Sequence, residues 1–241
     1  MANTISDITF VVTLSIDFPE RKHNYEKHKE HWKDVNVIYE IAEPTEIFHR
    51  TKLFNNGLKK VKTKLAAIAD IDCIFSYEVL EKAVQRCKDK TFVIPFNKVH
   101  HLNNSGDIVT TWKSPPKLNK ETLDKHFYTG QFNTFIDYSN IKIPSFEAPT
   151  GLCGIVNVDE YRECGFENEN CIDYAFEDIE RIVRMKKFGI DTVWLDEVGY
   201  HLWHPNSSRK RNKLFRNNFY EFLKICDMSE EELRTYVRTW N

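Results

Sequence analysis

The run Ile8-Thr-Phe-Val-Val-Thr-Leu-Ser-Ile16 constrains the fold more than any other segment. It is rich in β-branched residues, is bounded by Asp17 and Pro19, and reads as a buried first strand. Residues 21–34 are charged and rich in histidine, with apolar contacts limited to Tyr25 and Trp32, which predicts a solvated helix. Residues 36–41 form a second short strand, closed by the turn around Pro44. Leu53, Phe54, Leu58, Val61 and Leu65 recur at helical spacing over residues 51–65, with lysines on the other face. Residues 66–75 read as a third buried strand that turns acidic at its end, and 77–88 as a further helix. Strand and helix alternating in this way predict βαβ units and an α/β fold with a mostly parallel central sheet flanked by helices.

The middle of the chain, 91–149, is less regular and holds Pro95, Pro115, Pro116, Pro144 and Pro149, so strands with loops covering a cleft are expected there. Helical order returns at 174–187, followed by a strand at 192–195 and closing helices at 215–225 and 229–240. Ser229 and Glu232 form a capping box for the last of these. No repeat or linker interrupts the chain, and one domain over 1–241 is the economical expectation. Its 1–90 half ends just beyond the acidic strand end, and its 91–241 half makes up the rest. The 36 acidic and 34 basic residues nearly balance, which argues against a protein that is basic all over while allowing a local basic patch. Six irregularly spaced cysteines without a C-x-x-C pair read as reduced thiols. The polar start of the chain, and the lack of any apolar run near the ~20 residues needed to span a bilayer, lead to the expectation of a cytoplasmic protein.

Three groups of residues carry chemistry. Asp70-Ile-Asp72 falls at the carboxyl end of a buried strand, the edge where open α/β sheets collect ligands. Two carboxylates there can hold a divalent metal that bridges a diphosphate, or one can cap a helix while the other stays exposed. Glu177-Asp178 opens a helix, where a carboxylate can act as general base, although an acidic first turn is also ordinary dipole chemistry. Phe166, Tyr174 and Phe176 just upstream are suited to form a wall for a sugar ring. His201-Leu-Trp-His204 places two imidazoles three residues apart, a spacing that can serve one metal ion.

Taken in order, the acidic strand end, the Glu-Asp helix start and the histidine pair form a composite. It resembles the catalytic region shared by β1,4-galactosyltransferases and polypeptide N-acetylgalactosaminyltransferases. More broadly, it resembles GT-A glycosyltransferases, including capsule-type bacterial and phage enzymes. The segment 10–17 with Arg21, the stretch Lys52-Leu-Phe-Asn-Asn-Gly57, and Gly151-Leu-Cys-Gly154 with Tyr161 and Gly165-Phe166 extend the similarity over most of the chain outside 91–149. The resemblance implies a GT-A, Rossmann-like transferase using Mn²⁺ or Mg²⁺ and a nucleotide sugar, most simply UDP-linked. Asp72, His204 and His201 would then hold the metal. Asp178 would be the catalytic base of an inverting displacement, with Glu177 orienting the acceptor. Ser15, Asp17, Arg21, Glu43, Lys52, Asn55 and Asp70 would line the donor site. Tyr174-Ala-Phe stands where the related box carries tryptophan and glycine.

Arg209, Lys210, Arg211, Lys213 and Arg216 follow the histidine pair, and no acidic residue occurs from 201 to 218. Such a run is either a solvated face or the contact surface for a polyanionic acceptor, an anionic glycan or DNA. A hydroxymethylated pyrimidine in phage DNA and a saccharide are both open as acceptors. Rival readings are a metal-dependent phosphoesterase or nucleotidyltransferase, and a nucleic-acid-binding module without catalysis.

Overall fold

A computed structural model describes residues 3–16, 18–43, 48–113, 141–142, 144, 148–173, 175–205 and 213–240. Ten strands are present among them: β1 Ile8–Ser15, β2 Asn36–Ala42, β3 Leu65–Asp70, β4 Cys73–Ile74, β5 Thr91–Ile94, β6 Lys98–Leu102, β7 Ile108–Trp112, β8 Cys153–Asn157, β9 Asp191–Trp194 and β10 Val198–His201. The α-helices are α1 Pro19–His31, α2 Arg50–Leu58, α3 Tyr77–Arg86, α4 Val158–Glu163, α5 Glu177–Lys187, α6 Lys213–Asp227 and α7 Glu230–Val237.

Six strands form the main sheet in the order β2-β1-β3-β8-β5-β9. All run parallel except β8, which is antiparallel to both β3 and β5. Every residue of β1 is buried, as its unbroken apolar run predicts for a central strand. A smaller sheet, β4-β10-β6-β7, stands at the carboxyl end of β3.

Two predicted elements are shorter in the structure. The helix expected over 51–65 ends at Leu58, because Leu65 belongs to β3 and Val61 to the turn between them. Leu65 and Val61 are buried, so their spacing mimicked a helical stripe. The strand expected over 66–75 breaks after Asp70, and the turn at Ile71 and Asp72 sends the chain into the smaller sheet. Gly57 lets α2 lie close on β1, since a Cβ there would overlap the side chain of Val11. The inner face of α1 is polar: Asn24 and His28 are buried beside Trp32. The capping box of Ser229 and Glu232 is formed at the start of α7.

Candidate active site

Asp70 is the last residue of β3, and Asp72 follows in the turn to β4. β4 pairs antiparallel with β10, setting Cys73 opposite His201, and the Leu202 amide donates to the Asp72 carbonyl over 2.7 Å. This main-chain register brings His201 and His204 onto the Asp72 side chain. Oδ2 of Asp72 lies 3.1 Å from Nε2 of His204 and 3.8 Å from Nε2 of His201. One ligand atom from each of the three residues lies within 4.8 Å of the others. Burial works to raise the Asp72 pKa, but His201, His204 and Arg21 outweigh it and hold the carboxyl well below the usual range. The bond to Asp72 raises His204 in turn, against the effect of burial. A carboxylate oxygen and two imidazole nitrogens at this spacing fit a divalent ion of borderline softness.

The second half of the site forms around Arg50, the first residue of α2. Its guanidinium donates from Nε and Nη2 to Oδ1 of Asp70, over 3.0 and 2.8 Å. From Nη1 it donates to Oε1 of Glu177 over 2.9 Å and to Oδ1 of Asp178 over 3.0 Å. Arg181, one turn into α5, also donates to Oδ1 of Asp178, and with Nε and Nη2 it grips both oxygens of Glu167. Tyr161 donates its hydroxyl to Oε1 of Glu167. Burial alone would raise Asp178, yet Arg50 and Arg181 bring it below its ordinary value and keep it ionised. Burial and the neighbouring Asp178 charge push Glu177 up to about 7. Oε2 of Glu177 is closed to solvent and meets no hydrogen-bond partner among the described residues.

Both arginines engage Oδ1 of Asp178, while Oδ2 lies over Gly151, where any Cβ would collide with it. The chain enters α5 through an unusual backbone: Asp173, Ala175 and Phe176 have φ of 68°, 105° and 67°. Ala175 thus adopts, with a side chain, a conformation that favours glycine.

The other sequence-predicted positions are spread more widely. Ser15 is buried at the end of β1, and Arg21 lies on α1, where its charge acts on Asp72 and His204. Glu43 is exposed just after β2, and Lys52 is exposed on α2. The Asn55 amide is taken up by the 167–169 segment: it donates to the Glu167 carbonyl and to Oε1 of Glu169, and accepts from the Glu167 amide. Phe166 is buried against Tyr161 and so does not form the expected sugar-facing wall, while Phe176, half-buried, packs on Phe215, Phe219 and Phe222. Asp17, Tyr174, Arg209, Lys210 and Arg211 lie outside the described residues; Lys213 opens α6, and Arg216 sits over the Tyr220 ring. Arg50, Arg181 and Glu167 were missed by sequence reasoning. The signal for Arg50 was its place four residues before Phe54 and eight before Leu58, on the buried stripe of α2.

A mixed sheet carrying an acidic turn at a strand end, with a smaller sheet completing the site there, is the GT-A glycosyltransferase architecture. No protein-family model matches the chain, and no curated protein is similar to it in sequence. Solved structures are. The chain is similar to a mutant of Drosophila β1,4-galactosyltransferase 7 in complex with manganese, UDP-Gal and xylobiose: TM-score 0.53, 12% identity, covering 86% of this chain and 74% of that one. It is similar to the catalytic domain of the Drosophila enzyme with xylobiose, at TM-score 0.53 and 14% identity, over 94% and 83%. It is also similar to GalNAc-T7 with UDP, GalNAc and Mn²⁺, at TM-score 0.54 and 14% identity, over 91% of this chain and 48% of that one. At these identities the likeness establishes the fold.

Proposed function

We propose that this chain is a metal-dependent glycosyltransferase that moves a sugar from a UDP-sugar to an acceptor hydroxyl, with inversion and with Asp178 as general base. The observation that carries the reading is the convergence of Asp72, His201 and His204 from distant parts of the sequence at one strand end. On the same sheet edge, Arg50 ties Asp70 to Asp178. The neighbours that were solved with Mn²⁺ and UDP or UDP-Gal support both the metal and the donor class.

When bound, a divalent cation supplies charge neutralisation at the departing diphosphate. Asp72, His201 and His204 would hold it, and Arg21 adds positive charge beside them. Asp70, fixed by two hydrogen bonds from Arg50, would orient the donor. Asp178 is held ionised, with Oδ1 committed to the arginines and Oδ2 left to take the acceptor proton as the new bond forms. General-base assistance of this kind is worth ~10²–10⁴-fold. Glu177, held beside Asp178 by the same Arg50 guanidinium, would act on the acceptor's orientation.

A saccharide is the favoured acceptor, since two of the neighbouring structures hold xylobiose, a saccharide. The test is release of free nucleotide from a panel of nucleotide sugars with Mn²⁺, with and without saccharides or hydroxymethylated DNA. Release from one donor, accelerated by one acceptor and abolished by Asp72→Ala, supports the reading. Turnover of plain nucleotides without sugar transfer would move the assignment to a phosphoesterase.

A further inference from the structure

β6 lies parallel to β10 in the smaller sheet, and the register sets His101 beside His201 and His100 beside Tyr200. Alternation along a strand sends successive side chains to opposite faces. His100 accordingly packs on Tyr200 and bonds through Nδ1 to Thr111, away from the acidic turn. His101 falls on the face of His201. Its ring centroid is 4.7 Å from that of His201, against 5.2 Å between His201 and His204. Trp112 closes the far side at another 4.7 Å, so the three rings form a row that leads to Asp72.

Nε2 of His101 is shut off from solvent and has no hydrogen-bond partner among the described residues. A buried imidazole nitrogen left unpaired costs free energy unless something else satisfies it. On one side the imidazole packs against the tilted ring of Trp112. On the other side lie His201 and the charge of Asp72, both of which act on His101 electrostatically.

We infer that His101 is the fourth protein ligand of the metal centre, joining Asp72, His201 and His204 through Nε2. The inference rests on the proposed metal-dependent reading of the site. The ligand atoms of Asp72, His201 and His204 already converge; His101 enters by turning about its terminal side-chain torsion, which is broad for imidazole. Three imidazoles and one carboxylate shift preference away from Mg²⁺ and toward Mn²⁺, Co²⁺ or Zn²⁺.

Pulsed EPR on the full chain loaded with Mn²⁺ counts the imidazole nitrogens coupled to the ion, independent of turnover. Three in the wild type and two in His101→Phe are expected, with Mn²⁺ binding weakened ~10–100-fold in the variant. His101→Phe keeps a ring between Trp112 and His201, so a purely packing role would leave both the affinity and the wild-type count of two unchanged, and that result overturns the inference. The wild-type count decides the question even where a variant folds poorly. Two nitrogens in the wild type would remove His101 alone and leave the proposed function standing; no coupled imidazole at all would remove both.

Discussion

Arg50 donates through Nη1 to Oδ1 of Asp178 over 3.0 Å, joining the first residue of α2 to the first turn of α5. The same guanidinium holds Asp70 and Glu177, so one cation is shared by three carboxylates that the sequence keeps far apart. Removing it leaves Asp70 and Glu177 without their cation and Asp178 with Arg181 alone, and breaking a buried pair in this way typically costs ~3–5 kcal/mol. Arg50→Ala should therefore lose about that much stability in urea unfolding, along with turnover. Arg50→Lys should retain part of the stability and little of the activity, because an ammonium cannot reproduce the fork. Stability within about 0.5 kcal/mol of wild type in Arg50→Ala would contradict this account.

Asp178→Asn keeps the shape and the arginine contacts while removing the proposed proton acceptor. Donor binding and metal binding should survive, and turnover should fall ~10²–10⁴-fold. Isothermal titration with UDP and Mn²⁺, paired with a transfer assay, separates the two effects. Substantial remaining turnover would assign the base elsewhere.

Glu177 gives a pH dependence of definite sign. Its carboxyl is raised in the folded state to about 7 from an ordinary 4.5, so the folded chain holds a proton that the unfolded chain releases. Its contribution is fully present below about pH 4.5 and is lost as the pH rises through about 7. Stability over that window should fall by about 3 kcal/mol on this account, and Glu177→Gln should flatten the slope. Urea midpoints at several pH values measure it; an unchanged slope in the variant would place the titration on another group.

Ala175 carries a Cβ at φ 105°. A non-glycine residue in such a conformation costs ~1–3 kcal/mol, partly offset by the greater freedom glycine has when unfolded. Ala175→Gly should raise stability by about 1 kcal/mol, read as a higher Tm. A lower Tm would mean that the alanine methyl contributes packing that outweighs the strain.

EDTA should abolish transfer reversibly, and His204→Ala should weaken Mn²⁺ binding more than any substitution on the exposed face of α2, such as Lys52→Ala. Metal titrations followed by the EPR signal of free Mn²⁺ give the comparison directly.

Much of this site could be read from the chain. Asp70 and Asp72 were placed by the general rule that ligands gather at carboxyl ends of strands, and His201 and His204 by their mutual spacing. What joins them could not be read. The pairing of β4 with β10 rests on two residues per strand, too short for any pattern to announce. Arg50 and Arg181 look like solvated helix charges until tertiary packing covers them, since burial of a guanidinium depends on carboxylates contributed by distant segments. Asn24 and His28 hid for the same reason: polar residues on the inner face of α1 made it look wholly solvated. Asn55 depends on distant residues in the same way: its amide secures α2 to the segment around Glu167 through three hydrogen bonds.

The amide of Leu202 and the carbonyl of Asp72 set the distance between the two arms of the proposed metal site with main-chain atoms alone. Position is therefore specified separately from ligand identity. A lineage carrying this turn can exchange a histidine for a softer or harder donor, and so adapt to whichever ion its surroundings supply, without rebuilding the scaffold that presents it.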